Sequence, residues 1–242
     1  MLKFFFIIFV VYLIYLKFSL KLSIDLKTFF RKGFKKIDNK FGLFCYCGKQ
    51  GSGKTYSAVK FCIDRKLSDN SVIITNVKSF NIFSDTIYIT DISKLIEYVI
   101  KYCDSLPADE NPNIIIFFDE IFTILEKNTK INKDILSFIS QLRKRHIIFV
   151  TTAQEWLEIN VTFRRYVRFQ IDCKMLSFPI LRTALVLNEV NDGEQLHWDK
   201  DSNEYVAPRV ATNFSKGNRS IIESYDTFET ISTNTSTSSK SS

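Results

Sequence analysis

The stretch GKQGSGKT, residues 48–55, decides how the rest of the chain is read. It matches the phosphate-binding pattern Gly-x-x-x-x-Gly-Lys-Ser/Thr at every fixed position. Glycines at 48, 51 and 53 let the backbone approach an anion closely and turn successive N–H groups toward it, at the start of a helix whose dipole favours negative charge. Lys54 then reaches the β and γ phosphates of ATP, and the Thr55 hydroxyl is placed to ligate a bridging Mg²⁺, a hard ion that prefers oxygen. Gly48, Gly51, Ser52, Gly53, Lys54 and Thr55 are therefore the predicted nucleotide-binding residues. Only seven glycines occur in the whole chain, and three fall here, which disfavours a chance glycine-rich turn. The flanks agree. FGLFCYC, residues 41–47, is an apolar run suited to a buried strand, and TYSAVKFCIDRKL, residues 55–67, has helical spacing.

The length of 242 residues suits one sizeable α/β domain with appendages. A net charge of +7 and a pI near 9.1 imply an acidic partner, anionic lipid or nucleic acid. Five cysteines form no C-x-x-C pair, which argues against a disulfide framework and a zinc site. They read as reduced core residues.

The chain opens on MLKFFFIIFVVYLIYLKFSL. Its uninterrupted apolar run, Phe4 to Leu16, covers only about 20 Å as a helix, but Leu2 to Leu20 reaches about 28 Å if Lys3 and Lys17 snorkel. A transmembrane anchor over 2–20 is the expectation. A cleaved signal peptide is the rival, and no small-x-small cleavage site follows. Eight basic residues against two aspartates lie between Lys17 and Lys40. The positive-inside rule keeps that side cytoplasmic, giving a single-pass protein of the inner membrane with its nucleotide site in the cytosol. The segment 21–40 also suits a basic amphipathic stretch on anionic lipid, with a solvated linker as the alternative.

Beyond the phosphate loop, 71–76 and 86–90 read as strands and 92–103 as a helix. NIIIFFDE, residues 113–120, is an apolar strand ending in two carboxylates. Buried in a parallel sheet, it delivers both at the C-terminal edge, where ligands bind in such folds. Asp119 is the predicted Mg²⁺ ligand, and Glu120 the group that orients and polarises the attacking water. A further helix, 135–145, leads into the strand HIIFV, 146–150, and the polar end TTAQ, 151–154. A strand beside that of Asp119 would bring Thr152 or Gln154 near the γ-phosphate as a sensor, unless this is an ordinary strand-end turn. Arg143 and Arg145 are either arginine fingers acting across a subunit boundary or solvated helix-end cations. His146 reads as a packed residue.

GKQGSGKT, IIIFFDE and RKRHIIFVTTAQ together resemble the FtsK/HerA-like P-loop ATPases, most nearly the zonular occludens toxin-like assembly ATPases of filamentous phages. The resemblance covers about residues 41–174. It implies a RecA-like core working as a membrane-bound homo-oligomeric ring, with ATP driving extrusion or packaging of a DNA-containing particle. It gives Lys54 and Thr55 to phosphate and Mg²⁺, Asp119 and Glu120 to hydrolysis, and Gln154 to sensing. In the familiar phage members the membrane span follows the ATPase domain, whereas here it is expected first.

The expected fold class is thus α/β, a RecA-like P-loop NTPase with a mainly parallel sheet over 41–175. An N-terminal transmembrane helix precedes it, a small β appendage follows over 176–226, and a disordered Ser/Thr-rich tail closes the chain over 227–242. The expected function is a membrane-anchored ATPase that extrudes phage-like particles or DNA, with DNA or coat proteins as partners. The alternatives are a DNA-packaging or conjugative translocase, which DNA would stimulate, and a nucleotide-controlled scaffold, against which the second carboxylate argues.

Overall fold

The computed structural model describes residues 6–8, 10–12, 14–15, 40–80, 82–107, 110–121, 131–178, 183–200, 204–223 and 225. The expected basic segment, except Lys40, and the Ser/Thr-rich tail lie outside them, as does most of the expected membrane span. The described part of that span is helical and carries exposed Phe6, Ile7, Ile8, Val11, Ile14 and Tyr15. Among the described residues no helix is long and apolar enough to cross a membrane.

One eight-stranded sheet organises the chain. Its elements are β1 (Gly42–Cys47), α1 (Lys54–Asp69), β2 (Val72–Thr75), β3 (Ile87–Tyr88), α2 (Ile92–Ser105), β4 (Ile114–Phe118), α3 (Lys133–Gln141), β5 (Ile147–Ala153), α4 (Val161–Arg164), β6 (Val167–Phe178), β7 (Thr183–Asp192), β10 (Arg209–Lys216) and α5 (Arg219–Ile222). Between β7 and β10 a separate hairpin pairs β8 (His197–Asp199) with β9 (Glu204–Val206). The strand order is β10-β7-β6-β1-β5-β4-β2-β3. From β6 to β3 every pairing is parallel, and β7 and β10 join antiparallel.

The central strands are apolar on both faces because both faces are covered. Every residue of β1 and β4 is buried. On one side Phe44, Tyr46, Ile115, Phe117 and Val150 pack with Val59 and Cys62 of α1. On the other, Leu43, Cys45, Ile116 and Phe149 pack with Leu95 and Val99 of α2 and Phe138 of α3. Each such side chain contributes about 1.5–3 kcal/mol. All five cysteines are free, and four are buried in these layers.

The strand before Gln154 is longer than its polarity suggested. β5 runs through Thr151, Thr152 and Ala153, all buried, because β1 and β4 flank it and its hydroxyls find partners: Thr151 Oγ1 donates to the Phe118 carbonyl at 2.7 Å. Helix α3 stops at Gln141 rather than 145, and the chain reverses at His146, whose φ is 53°. That ring stacks on Phe41 at 4.8 Å and bonds Asn111. β7 and β10, expected within a small appendage or not at all, continue the main sheet.

Candidate active site

The loop 48–53 lies between the C-terminal end of β1 and α1. The Gly48 N–H donates to the Ala153 carbonyl at 3.2 Å, so the loop starts tied to the end of β5. Gly53 caps α1 in a left-handed conformation, φ 84°. A Cβ there would lie 2.6 Å from Val186 Cγ2 on β7, so a larger residue would be both strained and obstructed. At Gly48 a Cβ would lie 2.8 Å from the Cys173 carbonyl on β6. Val186, remote in sequence and unremarkable by type, thus helps to enforce the glycine that phosphate binding needs.

Three features fit a polyphosphate. Helix α1 has no side-chain cap and no acidic residue in its first turn. Its first backbone bond runs from Ser57 N–H to the Gly53 carbonyl at 2.9 Å, which leaves the earlier N–H groups for an anion. Lys54 is only 8% exposed and has no ion pair among the described residues. Ser52 Oγ, within the loop, is buried and has no hydrogen-bond partner among them.

The carboxylates of Asp119 and Glu120 follow β4, and β5 holds them. Thr152 Oγ1 donates to Asp119 Oδ1 and accepts from the Glu120 N–H, the latter at 2.9 Å. One hydroxyl thus fixes both residues, using its donor and an acceptor. Glu120 takes φ 54°, which turns the chain out of the sheet line directly after Asp119. That conformation costs about 1 kcal/mol, which the bond from the Glu120 N–H to Thr152 Oγ1 offsets. Asn76, just past β2, closes the other side: its Oδ1 accepts from the Asp119 N–H at 2.8 Å and its Nδ2 donates to the Asp119 carbonyl at 3.1 Å.

Burial holds the Asp119 carboxyl above the ordinary carboxylate range. The Thr152 hydrogen bond and the Lys54 charge pull it down, and the Glu120 charge pushes it up. Lys54 is therefore close enough to act on Asp119 electrostatically, which joins the two motifs in one site. Their hard oxygens make Asp119 and Thr55 the residues suited to hold Mg²⁺, an ion that would screen phosphate charge as it develops.

Gln154 stands exposed immediately after β5, beside the start of the phosphate loop. Of the two residues expected as sensors, Thr152 and not Gln154 bonds Asp119. Arg143 and Arg145 do not reach this edge. They precede β5, whose seven residues span about 23 Å, and they pair with Glu194 and with Asp104, the latter at 3.6 Å.

Two neighbours of Asp119 carried no sequence signal. Asn76 read only as a strand end. Tyr225, returned by α5 to the layer containing Tyr56 and Val77, has its phenol pKa pushed up mainly by burial and also by the Asp119 charge. Its approach depends on long-range folding alone.

Comparison with known proteins places these features in a family. The model of the ATPase family associated with various cellular activities (AAA) matches residues 44–175. No curated protein matches the sequence. Among solved structures, the N-terminal domain of zonular occludens toxin from Neisseria meningitidis is similar, with a TM-score of 0.47 and 16% identity over 77% of this chain and 100% of that one. The genome packaging NTPase B204 of Sulfolobus turreted icosahedral virus 2 gives 0.45 and 13%, over 70% and 97%. The flagellar accessory protein FlaH of Methanocaldococcus jannaschii gives 0.43 and 14%, over 72% and 89%.

Proposed function

The chain belongs to the ATPase family associated with various cellular activities, and on that premise we propose that it is a membrane-anchored ATP hydrolase that drives extrusion of a phage-like particle or of DNA. The observation that carries the hydrolytic part is the shared Thr152 hydroxyl, which holds Asp119 and Glu120 together beside the Lys54 loop. A pure nucleotide switch has no need of a second positioned carboxylate.

In this reading the loop N–H groups and Lys54 bind the phosphates, and Asp119 with Thr55 holds Mg²⁺. Glu120 takes the base role, orienting and polarising the attacking water. Gln154 senses the γ-phosphate from the loop edge. Arg143 and Arg145, at the far edge of the sheet, act on a neighbouring subunit's site in a homo-oligomeric ring.

Exposed apolar side chains on the helical part of 6–15 support the anchor, and the basic residues after it support a cytoplasmic ATPase at the inner membrane, with contact to anionic lipid. The resemblance drawn from the three motifs supports a DNA or coat-protein cargo.

The test is ATP turnover by the full chain in bilayer discs, with and without single-stranded and double-stranded DNA, beside Glu120→Gln. Turnover lost in the variant supports the reading. Stimulation by DNA selects a translocase over particle extrusion, and equal turnover in both proteins would sink the assignment.

A further inference from the structure

We propose that the cavity between α4, the β8–β9 hairpin and the face of β6 and β7 turned away from α1 binds a nucleotide unit of single-stranded DNA, its base against Trp156 and its phosphate on the neighbouring arginines. The inference deepens the DNA-handling reading above and rests on it.

The cavity has a volume of about 670 Å³, ample for a nucleotide. Side chains alternate across β6: Phe169, Ile171 and Cys173 face α1, so Gln170 and Asp172 face the cavity. In the antiparallel register Gln170 lies opposite Asn191. Gln170 Nε2 donates to one oxygen of Asp172 at 3.0 Å, and Asn191 Nδ2 to the other at 2.8 Å. Since a carboxylate only accepts, both amides are oriented, and each presents its oxygen and second N–H elsewhere. The floor is therefore a fixed array of donors and acceptors beneath an aromatic wall.

The walls carry positive charge. Arg164 lies over the Trp156 ring, 5.8 Å from its centroid. Arg209 lines the cavity while bonded to Glu189 at 2.7 Å. Arg165 is exposed and has no ion pair among the described residues. An aromatic ring beside arginines is the pairing that takes a stacked base and its phosphate. The Asp172 carboxylate adds a preference: adenine, cytosine and guanine offer an exocyclic amino group to it, and thymine does not.

Position links this cavity to turnover. Trp156 is two residues beyond Gln154, and Asp172 pairs with Cys47, the residue before Gly48. A strand bound here sits against the elements that carry the phosphate loop.

Trp156 and Trp198 are the only tryptophans, so full chain with Trp198→Phe makes Trp156 the sole intrinsic reporter. It is titrated with fluorescein-labelled oligo(dC), oligo(dT) and free dCMP, following tryptophan emission and label anisotropy together. Expected are quenching by oligo(dC), weaker binding of oligo(dT), and about tenfold loss of affinity in Trp156→Ala that Trp156→Phe largely restores. Arg165→Ala should lower the slope of log affinity against log salt by about 0.7. Anisotropy that rises without quenching, or with Trp156→Ala binding as tightly, would place the DNA elsewhere and overturn this site alone. No oligonucleotide binding overturns this site together with the DNA-handling reading, and selects extrusion of a particle. Equal affinity for dCMP assigns the cavity to a free nucleotide and overturns the DNA strand.

Discussion

Asn76 and Asp119 hold each other through a closed pair of hydrogen bonds, 2.8 and 3.1 Å, between the Asn76 amide and both backbone groups of Asp119. β2 ends at Thr75, and the amide continues its ladder for one more step toward Asp119 and Glu120. Asn76→Ala strips partners from two backbone groups and should cost about 2 kcal/mol, lowering Tm by about 4–8 °C. Turnover should fall with it as Asp119 loses its frame, and Asn76→Asp should lose the donated bond and also add a buried like charge beside Asp119. Thermal melts and steady-state hydrolysis on the same preparations check both.

Thr152 gives a sharper separation of shape from chemistry. Thr152→Val keeps the volume but removes the bond to Asp119 and the acceptor for the Glu120 N–H, so kcat should drop about 10- to 100-fold. Thr152→Ser retains the hydroxyl and should stay within a few-fold of the parent. Equal loss in both variants would show that packing, not the hydroxyl, matters.

Lys54→Ala and Glu120→Gln should fail in different ways. Removing the ammonium abolishes binding of a fluorescent ATP analogue. Glu120→Gln binds it normally and loses about 10²–10⁴ in turnover, the range for a general base.

Gly53→Ala should destabilise the fold by about 1–3 kcal/mol, through its left-handed φ and the contact with Val186. Combining it with Val186→Ala relieves the contact but not the conformation. Denaturant titrations should show a coupling of at least about 0.5 kcal/mol between the two.

Asp172 predicts a pH dependence. Burial raises its carboxyl pKa, the Gln170 and Asn191 bonds and the Lys174 charge oppose this, and the Glu189 charge adds to it. The folded state then keeps this proton to higher pH than the unfolded chain does. Its contribution to stability therefore falls as pH climbs from the ordinary carboxylate value near 3.8 through the raised one. Asp172→Asn should match the parent in stability below that window and exceed it at neutral pH, read from urea midpoints across pH 3–8.

Much of the core was legible because its strands are buried on both faces. β1, β4 and the start of β5 read as apolar runs, and the alternation with helices implied parallel pairing. Thr151 and Thr152 broke the pattern: their polarity read as the end of the strand, with a turn as the alternative, and only neighbours on both sides leave their hydroxyls buried and bonded. β10 was missed since RVATNFSK mixes polar and apolar residues on a strand that is only half covered.

The sequence by itself determined the phosphate loop and the paired carboxylates, because that chemistry is carried by a few contiguous residues whose spacing is the mechanism. The tertiary structure alone decided that β5 lies between β1 and β4, so that Thr152 reaches Asp119 from 33 residues away and Asn76 reaches it from 43. Such contacts depend on strand order and register, and one residue's slip in either would turn each side chain to the opposite face.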